Sequence, residues 1–228
     1  MASTNGNGAT KTGEPQATAI LRTKEAGDIK KAKTLLLSCM DLRVIDETAV
    51  LMHELGLQNK YDHVSVAGSS LGVLTASYKG AGARFEEKRG VADIRHFGKT
   101  FWNHVDLAIA LHEIDKVVIV EHADCGAYKH FTKGATLHAP IKTRQPPEEC
   151  RRPAPNATVE LAQHRWFANE LKRIIEATYA NTYVAKGDAK AGLEVEIYLV
   201  TPWARIDRAA KVEAAKPPKK TAKAQPRA

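Results

Sequence analysis

Lys116-Val117-Val118-Ile119-Val120-Glu121-His122-Ala123-Asp124-Cys125-Gly126 decides how this chain is read. Its β-branched residues from Val117 to Val120 make the clearest strand in the sequence. The run lacks polar alternation, which fits a strand buried on both faces, as in a parallel sheet. A histidine and a cysteine three positions apart follow at once. A second stretch is built the same way. Lys33-Thr34-Leu35-Leu36-Leu37-Ser38 is an apolar run of strand length, and Cys39-Met40-Asp41-Leu42-Arg43 comes directly after it.

Around these two runs the pattern alternates. The spacing of Val50, Leu51 and Leu55 predicts a helix over Asp46 to Leu57. A short strand is predicted over His63 to Ala67, closed by Gly68. Residues 78 to 98, with four glycines among many charges, read as loop. Trp102, Val105, Ala108, Ile109 and Leu111 predict a helix from Lys99 to Glu113. Five prolines make 138 to 156 irregular. A long amphipathic helix is predicted from Thr158 to Tyr179, and a last strand from Glu194 to Val200. Strands alternating with helices imply an α/β fold with a mainly parallel central sheet flanked by helices.

Ligands in open α/β sheets bind beyond the carboxyl ends of the strands. Cys39 and His122 each follow a strand, so both belong to that edge, and His-x-x-Cys lets a turn present His122 and Cys125 together. Cys39, His122 and Cys125 are soft or borderline donors that suit zinc. Three protein ligands leave a tetrahedral ion one open position, as in a catalytic site. The same spacing, taken alone, also fits a small buried cysteine and a turn histidine. Asp41 and Arg43, at i and i+2 of extended chain, point to one side. There Arg43 can hold Asp41 in a bidentate pair. Beside a metal, that pair keeps Asp41 ionised and acceptor-only; elsewhere it is an ordinary salt bridge.

Composition narrows the class. The 228 residues carry three cysteines, an odd count with no sign of a disulfide framework. No apolar run approaches the ~20 residues that span a bilayer, and Met1 to Thr18 has no apolar signal-peptide core. A cytoplasmic location with no membrane association is expected. The net charge of +8 is confined to the ends. Lys211 to Ala228 carries +5 and Met1 to Lys33 carries +3, which leaves 34 to 210 neutral. Nucleic-acid binding is therefore not the expected role. The chain divides into a disordered N-terminal tail (1–18), an arm or helix (19–33), a zinc-binding α/β domain (34–208) and a basic disordered C-terminal tail (209–228).

Cys39-x-Asp41-x-Arg43 followed at distance by His122-x-x-Cys125-Gly126 resembles the β-class carbonic anhydrases. The resemblance covers residues 33 to 208 and extends to the fold. It implies Zn2+ on Cys39, His122 and Cys125, with Asp41 and Arg43 as a catalytic dyad. It implies reversible hydration of carbon dioxide to bicarbonate by zinc-bound hydroxide. It also implies a homodimer, or a multiple of dimers, with sites at the subunit interface. The alternatives are a related zinc hydrolase acting on carbon disulfide or carbonyl sulfide, and a catalytically weak zinc-binding homologue.

This chain departs from the family at named positions. Met40 and Leu42 replace two serines of the first motif. Ser65-Val66-Ala67-Gly68-Ser69 stands where the family usually has Arg-Asn-Ala-Gly-Asn. Glu121 replaces the glycine before the zinc histidine and brings a carboxylate beside the ligands. His53, His63, His96, His104, His130 and His138 are proton acceptors by type.

Overall fold

The computed structural model describes residues 32–77, 95–131, 136–137, 142–152, 154–180, 192–201 and 210–211. Strand β1 (Thr34–Ser38) is buried along its whole length. Leu35 and Leu37 enter one core cluster and Leu36 the other, so side chains pack on both faces of the strand. The unbroken apolar run has this cause. Strand β2 (Tyr61–Ser65) flanks β1 on one side, and β4 (Lys116–His122) flanks it on the other, both parallel. Strand β6 (Glu194–Val200) continues the sheet beyond β4, again parallel. The order is β2-β1-β4-β6, and the short β7 (Ala210–Lys211) closes that edge antiparallel to β6. Strands β3 (Thr75–Ser77) and β5 (Thr136–Leu137) form a separate two-stranded ribbon.

Helices cover both faces. Helix α1 (Ile45–Glu54) supplies Leu51 and Met52 to the smaller core, against Leu36, Val118, Val120, Tyr198 and Val200. Helices α2 (Ser69–Leu74), α3 (Arg95–His112) and α5 (Ala157–Tyr179) supply the larger core on the opposite face. The short α4 (Gly126–Phe131) follows β4. Phe101, Phe167, Leu171 and Ile174 are fully or almost fully buried there, each worth about 1.5–3 kcal/mol of transfer free energy. Asn156 caps α5 by accepting from the Val159 amide at 3.0 Å, a contact worth about 1 kcal/mol. Helices α2 and α3 pack closely at Gly98, where an added Cβ would meet the Val73 carbonyl oxygen at 2.6 Å.

The chain runs from β1 outward to β2, then returns to the far side of β1 as β4. The two connections part between β1 and β4, and such a reversal opens a crevice at the carboxyl ends of the strands. The register pairs Leu37 with Ile119. Counting on sets Cys39 level with Glu121, one residue from His122.

Some expectations shift. Helix α3 begins at Arg95, inside the stretch read as loop; 78–94 lies outside the described residues. Strand β2 starts at Tyr61, two residues earlier than its pattern suggested, because Tyr61 and Asp62 already pair with Thr34 and Leu35. Within the stretch expected to be a tail, Ala210 and Lys211 pair with Leu199 and Tyr198. The expectations for 1–18, for 19–31 and for 212–228 fall on residues outside those described. Among the described residues, no helix is long and apolar enough to cross a membrane.

Candidate metal centre

Three ligand-capable side chains meet at the β1–β4 edge. Donor atoms of Cys39, His122 and Cys125 all lie within 4.8 Å of one another, and the three residues are buried. The two sulfurs are 3.9 Å apart. Cys39 leaves β1 directly after its last residue, and His122 ends β4. Asp124 then takes a left-handed backbone, φ 59°, a region that aspartate enters more readily than most residues. That turn brings Cys125 back beside His122.

The His122 ring fits a metal better than an ordinary core role. Its Nδ1 lies 2.9 Å from the Ala123 carbonyl, which can only accept, so the proton is assigned to Nδ1. Nε2 then carries a lone pair, and it is buried with no hydrogen-bond partner. Buried polar atoms are nearly always satisfied. An open imidazole nitrogen beside two sulfurs is a donor set for a soft or borderline divalent ion.

The two sulfurs share a hydrogen bond in which either can donate. That contact and the Gly68 amide pull Cys39 down against burial, while Cys39 and burial push Cys125 up. The Gly68 amide donates to Cys39 Sγ at 3.3 Å.

Asp41 sits 4.0 Å from His122 Nε2 through its Oδ2. It caps the 3-10 turn Leu42–Val44 and accepts from the Arg43 amide at 3.0 Å. The Arg43 guanidinium closes on the same carboxylate, Nε to Oδ1 at 2.9 Å and Nη2 to Oδ2 at 2.7 Å. The pair was expected on extended chain. It forms across a turn instead, because an N-cap carboxylate reaches the amide two residues on. Hydrogen bonds from the Arg43 side chain hold Asp41 well below the usual carboxylate range, against the smaller opposing effect of burial. Arg43 also donates to Asp124, Nη1 to Oδ2 at 2.7 Å and Nη2 to the carbonyl at 2.9 Å. It thereby ties Asp41 to the turn that carries two of the ligands.

Sequence reasoning missed part of the surroundings. Asp124 is a second partner of Arg43, and Lys129 pairs with Asp124 from the other side. Glu121, His164 and Glu160 form a polar group beside the ligands. A signal for it existed. Gln163, His164 and Glu170 occupy positions on the apolar stripe of α5 that also holds Phe167, Leu171 and Ile174, and polar residues on such a stripe need partners. Of the histidines weighed as proton acceptors, His63 bonds Ser38 at 2.7 Å and burial lowers its pKa. His53 bonds Gln58, and His104 bonds the Thr100 carbonyl. His138 and the side chain of His130 lie outside the described residues.

No protein-family model matches the chain. It is 37% identical over 101 residues to an uncharacterized protein of Rickettsia bellii, a match covering 44% of this chain and 52% of that protein. The chain thus spans about half the length of the curated relatives it matches. Among solved structures it is similar to a tetrameric β-carbonic anhydrase of the ascomycete Sordaria macrospora. That likeness has 15% identity and a TM-score of 0.42, and covers 81% of this chain and 82% of the other. A carbon disulfide hydrolase is similar at 14% identity and TM-score 0.36, over 75% of each chain. Identities this low do not carry chemistry from one chain to another.

Proposed function

We propose that this chain is a divergent β-class carbonic anhydrase that hydrates carbon dioxide reversibly at a zinc ion held by Cys39, His122 and Cys125. The observation that carries the reading is a single constellation. Two sulfurs and an unpartnered, buried imidazole nitrogen converge. Beside that nitrogen, at 4.0 Å, stands a carboxylate locked by arginine. Zinc bound there would supply Lewis acidity, bringing the pKa of a water on it from 15.7 towards about 7.

The chain's own residues do the rest. Asp41 stays ionised because Arg43 supplies donors to both of its oxygens. An ionised carboxylate only accepts hydrogen bonds. It therefore accepts from the attacking water and aims the lone pair at the carbon of carbon dioxide, an orientational gain. Arg43 fixes the orientation of that carboxylate through hydrogen bonds to both oxygens. The proton released with bicarbonate leaves to solvent.

A homodimer is part of the proposal. Met40, Leu42 and Ile45 are 65%, 82% and 59% exposed beside the site, and exposed apolar groups so close together favour a covered surface. The same residues give the site an apolar rim that suits carbon disulfide or carbonyl sulfide as a second reading. The test is zinc content measured with the carbon dioxide hydration rate across pH, beside a sulfide-release assay. Stoichiometric zinc with hydration supports the proposal. Sulfide release without hydration selects the second reading, and full zinc with neither activity leaves a zinc-binding homologue.

A further inference from the structure

Glu121 and His164 form a buried pair that the reading above does not use. Each side chain is 2% exposed. Glu121 alternates onto the face of β4 that carries Val117 and Ile119, towards α2 and α5. Its Oε1 accepts from the Ser70 amide at 3.0 Å, and its Oε2 accepts from His164 Nδ1 at 2.9 Å. Burying a carboxylate costs several kcal/mol before its partners repay it, so the contacts it makes are informative.

Ser70 lies in the first turn of α2, directly after the backbone turn that reaches Cys39. Gly68 and Ser69 are consecutive left-handed residues, φ 81° and 44°. A serine in that region is held there by its surroundings. The turn also has no slack, since a Cβ on Gly68 would meet Ala127 Cβ at 2.9 Å. Within it the Gly68 amide donates to the Cys39 sulfur. One helical turn before His164, Glu160 Oε1 accepts from the Cys125 amide at 3.3 Å and lies 3.8 Å from His164 Nε2. The Tyr128 ring backs the imidazole, with centroids 3.9 Å apart. One helix therefore reaches both sulfur ligands.

We propose that His164 is a positioning residue of the metal centre. Through Glu121 and the Ser70 amide it fixes the turn whose Gly68 amide bonds the Cys39 sulfur, while Glu160 on the same helix steadies Cys125. The proposal rests on the metal reading above. Partners of this kind orient metal ligands without touching the ion, and their loss typically costs 10–100-fold in metal affinity.

The test loads the full chain, His164→Leu and His164→Asn with cobalt(II). It follows the sulfur-to-cobalt charge-transfer band and the release of cobalt to a chelator, with circular dichroism as the check on folding. Leucine removes the donor and keeps bulk, whereas the asparagine amide restores an N–H near the position of Nδ1. Release from His164→Leu is expected to be about 10–100-fold faster, with a shifted band, and His164→Asn to return within about threefold of the original rate. A wild-type band and rate in His164→Leu overturns the proposal, as does equal acceleration in both variants. Should His164→Leu fail to fold, Glu160→Ala gives the same readout, and an unchanged release rate there overturns it. Failure of the unaltered chain to take up cobalt ends the metal reading itself, and this proposal with it.

Discussion

Two stretches of α5 hold acidic groups, and they do it in opposite ways. Past the middle of the helix, Glu170 is 1% exposed and closed on every side. Arg144 supplies its amide to Oε1 and its Nε to Oε2, both at 2.7 Å. Arg173 adds Nη2 at 2.6 Å and Nε at 3.0 Å. At the start of the helix, Glu160 accepts from the Cys125 amide and lies 3.8 Å from His164 Nε2, beside a His122 Nε2 that has no hydrogen bond. Glu170 is fully partnered, whereas the His122 nitrogen between the two sulfurs and Asp41 is left open to what binds there.

The comparison breaks first at the ligands. Cys39→Ala and Cys125→Ala are each expected to abolish stoichiometric zinc, because a site with two protein ligands no longer has the three that a catalytic zinc takes. Elemental analysis of the purified variants decides it, and normal zinc in either would end the assignment. Next in size, Asp41→Ala is expected to keep its zinc and lose about 100-fold or more in carbon dioxide hydration. Stopped-flow rates at matched zinc content test that. An unchanged rate would mean that the Arg43–Asp41 pair is only a turn cap.

The closed stretch of α5 around Glu170 should respond the other way. Glu170→Ala strands Arg144 and Arg173, but these are 64% and 35% exposed and can hydrate. The expected cost is about 2 kcal/mol, the scale of hydrogen bonds to charged groups. Zinc content should not change. A denaturation curve paired with elemental analysis checks both halves, and loss of zinc would erase the distinction between the two stretches of the helix.

Much of this layout was legible in the sequence, for a physical reason. A strand buried on both faces has to be apolar throughout, so Leu35–Leu37 and Val117–Val120 announced a parallel sheet and, with it, a shared edge for Cys39 and His122. The ends of elements were less legible. Arg95 to Gly98 carry charges and a glycine, yet α3 includes them, and Gly98 lets the helix approach the Val73 carbonyl. The group around Glu121 was half legible. A carboxylate before His122 stood out, but its partners Ser70 and His164 are 51 and 43 residues away. Only tertiary packing brings them together. Asp124 as a partner of Arg43 was hidden likewise, since a left-handed backbone at a non-glycine residue leaves no mark in composition.

The smallest effect expected is one of pH. Burial alone would raise the Glu170 carboxyl, but the hydrogen bonds from Arg173 and Arg144 outweigh it and hold the group at about 2, against 4.5 ordinarily. The folded chain therefore keeps Glu170 ionised at pH values where the unfolded chain has already protonated it. Its share of stability is complete above about 4.5 and drains away as the pH falls towards 2. Glu170→Gln has no such group, so its stability should fall less steeply between those limits. The metal ligands also titrate in acid, but they are the same in both chains and cancel in the difference. Denaturant midpoints of the two chains at a series of acidic pH values give that difference directly. If the gap between them stayed constant from pH 5 to pH 2.5, the Glu170 carboxylate would not be the charged anchor that its four hydrogen bonds describe.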